Sequence, residues 1–141
     1  MGQQQLLLLV LGIVIVGLAV VVGIQAFSEN QKKANGDAMV NDAIRIASDI
    51  QAWKLKPQAF GGGADQADFT GVTLSQIGYS LDSNGKYTNL NGTFEFDGTP
   101  GATVTIKGTN TQTDNAVKVV ISGTTSDAIT TTVFTAVADY A

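Results

Sequence analysis

Few side chains in this chain have the capacity for chemistry, and their spacing limits what they can do. Its 141 residues include no histidine and no cysteine. That removes the commonest general base and metal ligand, along with all thiolate chemistry. Nucleophilic catalysis would have to rest on serine with lysine. Glu95 and Asp97 stand two apart in an alternating run. A glycosidase acid pair needs carboxyls facing each other across a cleft, so this pair reads as one solvated strand face. Asp82 and Asn84 resemble the start of a calcium loop, but Gly85 comes too early and the closing glutamate is missing; turn chemistry is the better account. Gly61-Gly62-Gly63 lacks the strand, helix and lysine of a phosphate-cradling loop and reads as a flexible linker. Asn91-Gly92-Thr93 is a formal glycosylation sequon, and the threonines are candidates for O-linked sugar. No catalytic constellation emerges, and no cofactor or metal site is expected.

The element that must organise the chain is the stretch LLLLVLGIVIVGLAVVVGI, Leu6–Ile24, nineteen residues with no charge and no proline. As a helix it spans roughly 28 Å, about the hydrocarbon thickness of a bilayer. A secretory signal has a basic start and a shorter apolar core. Here Met1-Gly2-Gln3-Gln4-Gln5 carries no charge, so the segment is expected to be retained. Gly2 lacks the downstream Ser or Thr of a myristoylation pattern. Ala19 and Gly23 form one small-xxx-small pair, a spacing that lets helix backbones approach closely.

Charge is distributed unevenly along the chain. Residues 1–28 carry none, residues 29–56 hold five basic against four acidic side chains, and three lysines face eight acids beyond that. A distal domain this acidic lacks the basic footprint that nucleic-acid binding needs, so no nucleic-acid partner is expected. After Ile24 the pattern turns amphipathic. Met39, Ala43, Ile46, Ile50 and Trp53 fall on one helical face, while Asn41, Asp42, Arg45 and Asp49 occupy the other. Asp42–Arg45 and Arg45–Asp49 have the spacing of helix-surface ion pairs. Pro57 should stop the helix, and Asn35-Gly36 is its weakest point. The Met39–Trp53 stripe is expected to pack on a sheet.

Beyond the helix, Leu74–Ile77 suggests a helical turn, with Thr73 or Ser75 near its start. Asn84-Gly85 between short alternating runs signals a hairpin. Phe94 and Phe96, then Val104 and Ile106, then Val117, Val119 and Ile121, then Thr130–Ala138 predict four strands with a period of two. Three segments follow: an apolar half-helix over 1–28, an amphipathic half-helix over 29–56, and a linker with a β domain over 57–141. The fold class is α+β. A long N-terminal helix, about 6–56, would protrude in its apolar first half and pack its second half on a small antiparallel β-meander.

An uninterrupted apolar N-terminal helix that continues into an amphipathic half carrying a β-meander resembles the type IV pilins and pseudopilins. The run Met-Gly-Gln-Gln-Gln-Leu is similar to the start of a set of bacterial pilin-like proteins. The chain departs from the bacterial pattern in three ways: Gly2 follows no basic leader, no acidic residue precedes Glu29, and there is no cysteine for a C-terminal disulfide loop. The resemblance implies a structural subunit of an extracellular filament at the cell surface. Such a subunit waits in the inner membrane, is handled by a pilus assembly machinery and polymerises with itself as a helical homopolymer. On that implication Leu6, Leu9, Ile13, Val16, Val20 and Ile24 line the filament core or the membrane. Gln3, Gln4 and Gln5 would make neutral amide contacts between subunits. The positive-inside count, with Lys32 and Lys33 after the span and none before it, by itself favours a cytoplasmic distal domain. The resemblance and the lysine-poor, threonine-rich strands favour the outside. The alternative is a single-span membrane protein whose β domain is a binding or adaptor module, or a minor pseudopilin of a secretion system.

Overall fold

The computed structural model describes residues 2–140. The first element, α1 (Gly2–Leu55), is one unbroken helix. It starts four residues earlier than expected, taking in Gln3, Gln4 and Gln5, because no proline or capping residue delays it. It ends just before Pro57, whose ring excludes the α conformation at the residue it follows. The chain forms two compact units, the first ending at Lys33 and the second beginning at Ala34.

The first unit is helix alone. The second holds a five-stranded antiparallel sheet in simple sequence order: β1 (Tyr87–Thr88), β2 (Thr93–Phe96), β3 (Val104–Asn110), β4 (Asn115–Ile121) and β5 (Ile129–Phe134). Alternation places Phe94, Val104, Ile106, Val117, Val119 and Ile121 on one face, where all are buried. Met39, Ala43, Ile46, Ile50 and Trp53 of α1 join them in one apolar cluster, which Phe69, Val72 and Leu74 complete from the intervening loop. Each large side chain withdrawn from water in this way contributes about 1.5–3 kcal/mol, offset by the ordering of the chain. Gly108 gives Phe94 room: a Cβ there would sit 2.8 Å from the Phe94 ring.

Four details differ from the expected fold. Strands number five rather than four, because Tyr87–Thr88 pairs with Thr93–Phe94. The hairpin read at Asn84-Gly85 is instead an isolated turn, in which Gly85 N–H donates to the Asp82 carbonyl and Asp82 N–H to the Lys86 carbonyl. Tyr79–Leu81 forms no strand. The last run shortens to β5, and Val137–Tyr140 forms a tight helical turn. As expected, the helix runs unbroken through Asn35-Gly36, where Gly36 is buried beside Asn115. The predicted turn after Val72 is present as a reciprocal cap. Gln76 N–H donates to Thr73 Oγ1, and Thr73 N–H donates to Gln76 Oε1.

The glycine-rich segment is packed and is not a flexible linker. Gly63 N–H donates to Trp53 O at 2.9 Å and Ala64 N–H to Lys56 O at 3.1 Å, so the segment closes the C-terminal end of α1. Trp53 Nε1 donates to Gly61 O at 3.1 Å, and Lys54 Nζ donates to the carbonyls of Gly63 and Gln66. A Cβ on Gly63 would lie 2.3 Å from the Trp53 ring, so only glycine fits. Gly63→Ala is therefore expected to destabilise the second unit by about 1–3 kcal/mol through overpacking. Thermal denaturation followed by Trp53 fluorescence would show a lower midpoint; an unchanged midpoint would mean the segment is not held against the indole.

Candidate assembly interface

The residues proposed for self-assembly lie in the first unit and are exposed there. Leu6, Leu9, Ile13, Val16, Val20 and Ile24 are each between 55% and 65% exposed, roughly what a bare helix leaves open. The most apolar eighteen-residue window of α1 has a mean hydropathy of 3.2 and is not buried at all, so it is long and apolar enough to cross a membrane. Gln3, Gln4 and Gln5 are exposed on the same unit. No atom outside the local helix comes within 4 Å of the Cβ position of Gly12, Gly17 or Gly23. These glycines therefore have no intrachain packing duty, and their backbone is open to close approach by another helix.

The second unit places its polar side chains in structural work. Asp42 and Asp49 do not form the expected pairs with Arg45; among the described residues the salt bridge is Lys86–Glu95, at 3.0 Å. Asp42 Oδ2 accepts from Asn89 Nδ2 at 2.8 Å and Asn91 Nδ2 at 2.6 Å, tying the β1–β2 turn to the helix. Asn35 extends the same knot, donating to Asn91 O at 2.9 Å and accepting from Thr113 and Asn115. The turn has become a better partner than Arg45 because it offers two amide donors in fixed positions. The amide nitrogen that a glycan on Asn91 would take is thus already committed to Asp42.

Tyr79 donates to Asp49 Oδ2 at 2.6 Å. Burial first, and then that bond to a carboxylate, push the phenol well above its ordinary range. Tyr140 is held in the same way. Its hydroxyl donates to Asp97 at 2.9 Å, its ring sits 4.5 Å from Lys107 Nζ and meets Phe134 edge-on, and burial leads the upward shift of its phenol. The turn carrying Tyr140 covers part of the outer sheet face, where Lys107 and Lys118 stand directly opposite each other. The ring and Asp97 offset a like-charge pair that would otherwise weaken the sheet. Glu95 thus pairs with Lys86, and Asp97 accepts from Tyr140.

One Ser-x-x-Lys spacing does occur, at Ser83-Asn84-Gly85-Lys86. It lies in an exposed turn, and its lysine is the one paired with Glu95. Among the described residues no three His, Cys, Asp or Glu side chains gather as a metal site. The surface depressions are open. One of about 340 Å³ is lined by Asp49, Trp53, Lys56 and Gln76, and another of about 360 Å³ by Thr88, Asn89, Thr109 and Asn110. The first carries Asp49 and Lys56 and the second no charged side chain.

No protein-family model matches the sequence, and no curated protein or solved structure matches the chain.

Asp82 illustrates how this surface uses carboxylates. Its Oδ1 accepts from the backbone N–H groups of Asn84 at 2.8 Å and Lys86 at 3.0 Å, and those bonds hold its carboxyl below the ordinary range. A depressed carboxyl stabilises the folded turn fully above its unfolded pKa of ~3.9 and loses that contribution as pH falls through the folded value. The protection of the Asn84 and Lys86 amides against hydrogen exchange, taken relative to the intrinsic rate at each pH, is therefore expected to hold above that window. It should fall once the pH drops below it, and equal protection factors on both sides would remove Asp82 from this role.

Proposed function

We propose that the chain is the structural subunit of a pilus-like extracellular filament, polymerising through its apolar helices with the β units on the outside. The observation that carries this reading is the first unit: a helix with nineteen successive apolar or glycine residues at Leu6–Ile24 and no burial within the chain. Such a surface must be covered by lipid or by other copies, since each large apolar side chain left in water costs about 1.5–3 kcal/mol. Three glycines with open space around them suit packing against other helices, where small residues permit van der Waals contact. A second unit with a core of its own, a threonine-rich surface and several carboxylates in structural bonds supports a building-block role over a catalytic one. Before assembly the same helix is suited to sit in a membrane, and handling by an assembly machinery would follow.

The same helix also favours a second reading: a single-span membrane protein whose β unit binds a partner, with a minor pseudopilin between the two. Shearing separates these readings. The surface fraction removed from cells should contain thin filaments dominated by this chain in negative-stain electron microscopy. Finding the chain only in detergent-solubilised membrane would favour the anchored reading.

Val16→Asp puts a charge at the middle of the apolar segment, at about 2.5–3.5 kcal/mol on insertion scales. Filaments are expected to disappear from the sheared fraction, and normal filaments from this variant would end the core assignment. Replacing Gln3, Gln4 and Gln5 together with alanine is expected to lower filament yield by removing amide contacts between subunits. An unchanged yield would show that those contacts carry nothing.

A further inference from the structure

The sheet ends in β5, and no strand pairs with its outer side. An open edge is a template for another chain, and proteins usually blunt it with charge, proline, a bulge or shortness. The opposite edge follows that rule, since β1 has two residues. The β5 edge does not: Ile129-Thr130-Thr131-Thr132-Val133-Phe134 has six residues and neither a charge nor a proline.

One hydrogen bond fixes which groups face outward. Ser122 N–H donates to Ala128 O at 2.9 Å, while Ile121 stands opposite Ile129. Ile121 and Ile129 are therefore a non-hydrogen-bonded pair, and Thr130 and Thr132 exchange bonds with β4. Ile129, Thr131 and Val133 then direct their N–H and C=O groups toward the open edge. Their side chains share the core-facing side with Val117, Val119 and Ile121, yet Thr131 is exposed and Val133 is 53% exposed. Unpaired backbone and uncovered apolar surface thus coincide on the same residues.

We propose that β5 pairs antiparallel with β5 of a second copy of this chain, centred on Thr131. Ile-Thr-Thr-Thr-Val reads the same in character from either end, which is what a two-fold axis through Thr131 requires. In that register Thr131 faces its counterpart, and Ile129 faces Val133 on both sides of the axis. The outward N–H and C=O groups are all used, and each exposed valine is covered by an isoleucine. Charge also favours a second copy here. A chain of net charge −4 repels itself over most of its surface, and β5 is an uncharged strip through which copies can meet. An uncharged edge also has no handle for a partner chosen by charge. The pairing does not depend on the filament reading.

The chain has no cysteine, so one introduced thiol reports one contact. Thr131→Cys in the full chain, solubilised in detergent and mildly oxidised, is expected to give disulfide-linked dimers. The Cα separation of a hydrogen-bonded antiparallel pair, ~5.5 Å, is within reach of a disulfide. Thr111→Cys, exposed beyond the end of β3, should stay monomeric under the same conditions. Adding Val133→Asp to Thr131→Cys puts a carboxylate opposite Ile129 at each end of the junction in place of an apolar pair and should abolish the dimer. Both positions are exposed, so folding should survive, and circular dichroism checks this. Thr131→Cys cross-linking no faster than Thr111→Cys would overturn the pairing, as would dimers that persist with Val133→Asp.

Discussion

An apolar helix with no partner in its own chain is the constraint on which the rest of this molecule depends. The first unit buries none of its Leu6–Ile24 surface, so its free energy is set by what surrounds it. In water that surface is strongly unfavourable, at roughly 25 cal/mol for each Å² left exposed. In lipid it is satisfied, and the backbone is satisfied too, because a helix pairs its own N–H and C=O groups. Moving from lipid to a bundle of like helices gains little from the hydrophobic effect, since acyl chains are as apolar as leucine. Van der Waals contact must then decide between the two environments. The open backbone at Gly12, Gly17 and Gly23 is where such contact can form.

A chain that commits this much apolar sequence to external contacts must build its globular unit from what remains. The Met39–Trp53 stripe supplies one side of that core and buried residues of β2, β3 and β4 supply the other. What is unusual is how the loops are fastened. Asp42 holds the β1–β2 turn through two asparagine amides, Asp49 holds Tyr79, Asp97 holds Tyr140, and Asp82 closes its own turn. Hydrogen bonds to a charged group are worth about 1.5–3 kcal/mol where a neutral pair gives about 1 kcal/mol. Each carboxylate therefore replaces some of the apolar packing that a larger domain would use. The acids that fasten these loops are used singly, and among the described residues no three of them gather.

The periodic parts of this architecture were legible in the sequence. Met39, Ala43, Ile46, Ile50 and Trp53 repeat with the helix, and Val104–Ile106 and Val117–Ile121 alternate with the strand, because one-sided burial imposes those periods. The parts that were not legible depend on contacts distant in sequence. Three successive glycines look like a linker until the Trp53 ring is placed 2.3 Å from where a Gly63 Cβ would be. Asn84-Gly85 carries a hairpin signal, and Gly85 does adopt a φ of 74°. The pairing nevertheless went to the next turn, because Asn89 and Asn91 reach Asp42 some forty-seven and forty-nine residues away. Arg45 looked like the natural partner of two acids one helical turn from it, and both acids instead found fixed donors in the second unit. Tyr140 gave no signal, since a lone aromatic near two lysines acquires meaning only when the sheet brings Lys107 beside Lys118.

The two surfaces available for contact between copies differ in kind, and the difference bears on what they could build together. Apolar helix packing has weak directional demands and can repeat along an axis, so it suits an open assembly. A strand edge demands register to within one residue, since a slip of one turns every side chain to the other face. The symmetry of Ile129–Val133 about Thr131 favours a two-fold pairing, which closes after two copies. Two copies related by such an axis cannot both point the same way along a polar filament. If both contacts operate, the helices would order copies within one assembly, and the β5 edges would join separate assemblies side by side. Every exposed copy would repeat the contact, so even a weak edge pairing would accumulate along the length of two filaments, as multivalent contacts do.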